Sequence, residues 1–101
     1  MARVALLCPD LLFGSKLQGA LSAAGHEPVG AGEEADVLVI DLTDDPDTRI
    51  EQAAGAGIPR LAFYSHVEQD VRRRAEAAGI DRVVPRSRMA REAATLVDSL
   101  L

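Results

Sequence analysis

The stretch Ala35–Leu42, reading ADVLVIDL, constrains this chain more than any other. An unbroken apolar run of strand length reads as a strand covered on both faces, as the central strands of parallel sheets are. Its apolar run, Val37–Ile40, ends in an acid, Asp41. A second run of the same kind, Val4–Cys8, lies near the N-terminus, and further strand candidates fall at Pro28–Gly30, Arg60–Tyr64 and Arg82–Val84.

Between these runs the period changes to that of helices. Phe13, Leu17, Leu21 and Ala24 form one stripe, with Asp10 placed to cap the helix and Gly25 to close it. Asp45-Pro46 predicts a capped helix start with proline in the first turn, running through Ile50, Ala53 and Ala54. Gly55 and Gly57 weaken the end of that helix. Ser65-x-x-Glu68 has the form of a capping box for a helix with Val67, Val71, Ala75 and Ala78 inward, stopped at Gly79. The last helix presents Met89, Ala93, Leu96, Val97 and Leu100.

Strands alternating with helices predict an α/β domain over residues 1–101, a parallel five-stranded sheet with helices on both faces. The flavodoxin-like strand order 2-1-3-4-5 fits five such strands. One crossover is too short. Only Ala31–Ala35 separate the second and third strands, whereas a parallel crossover with its helix takes about 10–12 residues. The second helix is therefore expected to be missing or shortened. Part of the sheet face it would cover is expected to be bare, a candidate docking or dimer surface, or covered by something else.

Composition narrows the function. The net charge of −5 is unevenly shared: residues 1–51 hold three basic and ten acidic groups, residues 52–101 eight basic and six acidic. An acidic first half argues against general binding to a nucleic-acid backbone. No apolar run nears the roughly 18 residues of a membrane span, and Ala5–Leu7 is too short for a signal-peptide core. A single cysteine, Cys8, forms no internal disulfide. A cytoplasmic protein is expected.

In sheets of this type, chemistry gathers at the carboxyl ends of the strands. Those ends carry Cys8-Pro9-Asp10, Asp41-Leu42-Thr43-Asp44-Asp45, Tyr64-Ser65-His66 and Pro85-Arg86-Ser87. Carboxylates, hydroxyls and a guanidinium on one rim suit phosphoryl chemistry: a carboxylate nucleophile, oxygen ligands for Mg2+, and donors for the phosphoryl oxygens. His26 and His66 lack zinc-ligand spacing with Cys8. Arg72-Arg73-Arg74 reads as a solvated helix face, with Glu68 and Asp70 at ion-pair spacing.

VLVIDL and the run IPRLAFYSHVEQDVRRRAEAAGIDRVVPRS resemble the receiver domains of bacterial response regulators, a CheY-like fold. The resemblance places Asp41 at the phosphoacceptor position and Arg86 at the position of the family's lysine. Tyr64 falls on the hydroxyl position, with Ser65 one step on, and Ser87 replaces the family's proline. Cys8-Pro9 stands where receivers carry an acidic pair that holds Mg2+, so a weakened metal site would depend on Asp41, with Asp10, one residue late, or Asp44, and water. Arg86 pairing with Asp41 would neutralise it.

These departures favour an atypical receiver, a pseudo-receiver: a stand-alone, non-enzymatic module acting by protein–protein contact, with a histidine kinase or a second copy of itself as partner. The alternative is a working receiver phosphorylated on Asp41 with Mg2+. A third reading takes Cys8 as the nucleophile of a phosphocysteine carrier, as in subunits of sugar phosphotransferase systems. The acidic, apolar Pro9-Asp10-Leu11-Leu12 after it is a poor phosphate loop.

Overall fold

The computed structural model describes residues 1–101. Five strands, β1 (Arg3–Leu7), β2 (Glu27–Gly30), β3 (Val37–Asp41), β4 (Arg60–Tyr64) and β5 (Arg82–Pro85), form one parallel sheet in the order β2-β1-β3-β4-β5. β3 lies at its centre, and all five of its residues are buried. Its register sets Leu7 beside Ile40 on β1 and Phe63 beside Asp41 on β4, so the strand ends share one rim.

Strand alternation sorts the apolar side chains into two cores. On one face Val4, Val37, Val39, Leu61, Phe63 and Val84 pack under α1 (Leu11–Ala23) and α4 (Arg86–Asp98), which contribute Phe13, Leu17, Leu21, Met89, Leu96 and Val97. On the other, Ala5, Leu38, Ile40, Ala62 and Val83 pack under α2 (Pro46–Ala53) and α3 (Gln69–Ala77), through Ala53, Val71 and Ala75. No helix is long and apolar enough to cross a membrane.

The short crossover holds no helix. Residues 31–36 form a turn in which Glu33 bonds Gly30 through both its backbone N–H and its carboxylate, and Asp36 clips back onto Arg3. The sheet face above β1 and β2 is partly covered and partly bare, as expected. Leu7, Val29 and Ala35 are partly buried, and a hollow of about 300 Å3 remains, lined by Ala5, Ala31, Ala35, Leu38 and Ile58 with Glu33 and Glu34 at its edge.

Helix termini agree with expectation at some ends and depart from it at others. Asp10 caps α1, its Oδ1 accepting from the N–H groups of Leu12 and Phe13 at 3.0 and 3.1 Å. Gly25 and Gly79 follow helix ends at φ +89° and +84°, where a Cβ would be strained. Pro46 opens α2, but Asp45 takes a left-handed φ of +49° and makes no side-chain cap.

The expected capping box at Ser65–Glu68 does not form. The Glu68 N–H donates to the Ser65 carbonyl at 2.8 Å, closing a turn, and α3 begins only at Gln69. A turn that satisfies the backbone locally competes with the side-chain cap. Val67 is consequently left 74 % exposed; Ala78 and Ala24, which lie just past the ends of α3 and α1, also stay outside the core. On α3, Arg72 pairs with Glu76, and Arg74 with Asp70 and Asp47; Glu68 takes no part.

Candidate functional site

Asp41 ends β3 on the face shared with Val37 and Val39, beneath the loop that leads to α2. It is not the solvated strand-end acid that its sequence position allows: it is 2 % exposed. A buried carboxylate needs partners for both oxygens, and both have them. Oδ1 accepts from the Thr43 N–H at 2.8 Å and from the Thr43 hydroxyl at 2.5 Å. Oδ2 faces the Cys8 thiol at 3.6 Å. Thr43, two residues after the acid, thus folds back over it.

The Cys8 contact is a hydrogen bond from a protonated thiol. Burial first, then the Asp41 charge and the hydrogen bond to it, push the thiol up to about 11. The thiol also approaches the Asp10 carbonyl at 3.6 Å. At neutral pH Cys8 is a donor that stabilises the Asp41 carboxylate and is a weak nucleophile.

Arg86 does not pair with Asp41. It opens α4 and reaches Asp10 instead, with Nη2 to Oδ2 at 3.2 Å, while its guanidinium lies 4.3 Å over the Phe13 ring. Phe13 in turn packs on Phe63 at 4.9 Å. The aromatic face and the capping acid sit together at the first turn of α1, directly across from α4, so the arginine is captured there before it reaches the strand end. The pair is 46 % and 41 % exposed, worth at most about 1 kcal/mol, with a similar amount from the cation–π contact.

Asp10 is therefore committed twice, to the helix cap and to Arg86. No three His, Cys, Asp or Glu side chains stand together as a metal cage. Mg2+ asks for oxygen donors, and the neighbours of Asp41 are a protonated thiol and a threonine. Of these two neighbours only the Thr43 hydroxyl is an oxygen donor, and it is already turned to Asp41.

Tyr64 leaves the site. Strand parity turns it onto the α2/α3 face with Ala62, where it is 1 % exposed and its hydroxyl meets Gln69 at 3.5 Å. The expected hydroxyl at the rim falls to Ser65. With Ser87 and Arg86, Ser65 lines an open cleft of about 630 Å3 together with Phe13, Lys16, Thr43, His66 and Ala90. Asp41 does not line it. Lys16 and the role of Thr43 escaped sequence reasoning. Lys16 follows Phe13 by three residues, one helical turn, and that spacing was the available signal. Nothing in a threonine two positions after an acid announces that it will cover it.

No protein-family model matches the chain, and no curated protein sequence matches it. Solved structures do. The receiver domain of the Francisella response regulator 1452 superposes with TM-score 0.80 over 99% of this chain and 96% of that one, at 14% identity. The non-phosphorylated HemR receiver domain of Leptospira biflexa gives 0.78 over 99% and 94%, at 17% identity. A response regulator from Thermotoga maritima gives 0.77 over 97% and 95%, at 11% identity. At such identities the likeness establishes the fold, which is that of a receiver domain.

Proposed function

We propose that this receiver-fold chain is a pseudo-receiver: a non-enzymatic cytoplasmic signalling module that acts by contact with a protein partner, without efficient phosphorylation of Asp41. The observation that carries the reading is the state of Asp41, 2 % exposed with one oxygen closed by Thr43 and the other against Cys8. An acyl phosphate forms only if a carboxylate oxygen reaches the donor's phosphorus in line, with charge stabilised as the bond changes hands. Here Thr43 and Cys8 would have to yield, and Arg86 would have to leave Asp10 and Phe13.

Incubation with a small phosphodonor and Mg2+, followed by intact-mass measurement, is the test. The expected result is no added phosphoryl group. A gain that disappears in Asp41→Asn would overturn this reading in favour of a working phosphoacceptor; a gain that disappears in Cys8→Ser would turn it to a phosphocysteine carrier. The working-receiver reading keeps one observation in its favour, that Asp41 ends the central strand of a receiver fold, the position the sequence resemblance assigns to the phosphoacceptor.

A further inference from the structure

The sheet is unevenly covered. α1 and α4 close one face. On the other, α2 packs on β3 and α3 on β4 and β5, and the crossover that would set a helix over β1 and β2 is only a turn. Leu7, Val29, Ile50 and Ile58 are left half-buried on that face, and the hollow of about 300 Å3 reaches down to Ala5 and Leu38.

The edge of the hollow is acidic. Glu33 and Glu34 line it, and no cation does. The Arg3 guanidinium is shared between Glu27 and Glu33, at 3.7 and 3.8 Å, and the Glu34 carboxylate has neither an ion pair nor a hydrogen bond. On the α2 side the lining residue is Gln52, whose Oε1 accepts from Arg49 Nη1 at 3.3 Å. An apolar floor with unneutralised carboxylates at its edge suits an apolar side chain flanked by basic ones.

The edge strand disfavours an extended partner. In β2, Pro28 has no N–H to give. Gly30 donates its N–H to the Glu33 carboxylate at 2.8 Å, and its carbonyl accepts from the Glu33 N–H at 3.0 Å. Little backbone is left there for another strand to pair with. A helix asks nothing of that edge. The five residues of β1 span about 16 Å, the length of about 11 helical residues.

We propose that this face docks an amphipathic helix of a protein partner, with its apolar stripe on Leu7, Val29 and the hollow and a lysine or arginine beside Glu34. The proposal rests on the reading of the chain as a module that acts by protein contact, and it names the surface and the chemistry of the partner. It is independent of whether Asp41 is phosphorylated.

The test is titration of the intact chain, in about 0.15 M salt, with a capped peptide of about 14 residues that carries leucines on one helical face and lysines on the other. Amide shifts in NMR spectra locate it, and the same peptide with glutamate for lysine is the comparator. Saturable shifts centred on Val29, Glu34, Ala35 and Ile58 are expected, with a dissociation constant on the order of 100 μM. Glu34→Lys and Ala56→Lys, which sets a cation in the wall of the hollow, should each weaken binding by about tenfold. Glu34 is fully outside the core, so its variant stays informative if Ala56→Lys folds poorly. Leu12→Ser, in the exposed Leu11-Leu12 pair at the opposite end of the sheet, should leave binding unchanged. Shifts centred on Leu11 and Leu12, indifference to Glu34→Lys, lack of saturation, or equal binding of the glutamate peptide would overturn the proposal. A chain that sediments as a dimer broken by Ala56→Lys would also overturn it, giving the face to a second copy. A mass gain on Asp41 would sink the pseudo-receiver reading and leave this face standing, whereas a peptide that fails to bind removes the face and leaves the state of Asp41 untouched.

Discussion

The two ends of the sheet are built on opposite plans. At the amino ends of the strands, polar side chains close onto the backbone. Asp36 accepts from the Arg3 N–H at 2.9 Å, and Asp81 from the Arg60 N–H at 2.7 Å. The Arg60 guanidinium reaches the carbonyls of Gly79 and Ala53 at 2.7 and 3.2 Å. The buried His26 accepts from the Ala2 N–H through Nδ1 and meets Asp98 through Nε2 at 2.8 Å, which joins β1, β2 and the end of α4. At the carboxyl ends, Lys16, Ser65, His66 and Ser87 line an open cleft with their hydrogen-bonding groups unused. One end converts polar groups into stability, and the other leaves them available to a ligand. Asp10 and Asp41 are exceptions, carboxyl-end acids treated as the amino end treats its own, and that is why the position of Asp41 alone does not make it reactive.

The contrast is open to direct attack. The largest effect is expected at the closed end. His26→Ala leaves the Ala2 N–H unpaired in a buried position and should cost about 2–3 kcal/mol of unfolding free energy, read as a lower urea midpoint with an unchanged slope. A loss under about 0.5 kcal/mol would mean that the clasp is ornamental and the two ends are alike. A smaller, pH-dependent effect is expected at Cys8. Its folded thiol titrates at about 11 against an ordinary 9.0, so the folded state holds this proton more tightly. Stability should be unaffected below about pH 9 and fall as pH rises towards 11. Denaturation curves of the parent and Cys8→Ser across that range isolate the slope, and identical slopes would refute a thiol held protonated by burial and by the Asp41 charge. The smallest effect belongs to the open end: Ser65→Ala and Ser87→Ala should each shift stability by no more than about 0.5 kcal/mol. A loss above 1 kcal/mol, on the order expected for a buried hydrogen bond, would show that these hydroxyls are structural.

Much of the frame was legible before any coordinates. Arg60–Tyr64 coincides with β4 to the residue, because an apolar run covered on both faces declares itself without reference to its neighbours. The missing helix was legible by counting, since a crossover of that length holds no helix. Asp10 was legible as a cap because capping is settled within three residues. The Ser65–Glu68 box failed although its letters were right: the same four residues close a turn, and a motif does not say which local bond wins. Tyr64 and Ser65 exchanged roles through strand parity, which depends on where β4 ends.

Local pattern by itself determined the order of elements, the strand pairing they imply and the rim on which polar groups meet. Backbone hydrogen bonding and burial act over a few residues and leave a period that can be read. The partner of each charged side chain was decided only in three dimensions. Arg86 lies 45 residues from Asp41 and 76 from Asp10, and a flexible guanidinium settles on whichever acid and aromatic face the packing of α1 against α4 brings within reach. Thr43 likewise becomes a cover for Asp41 only because the loop after β3 turns back on itself there.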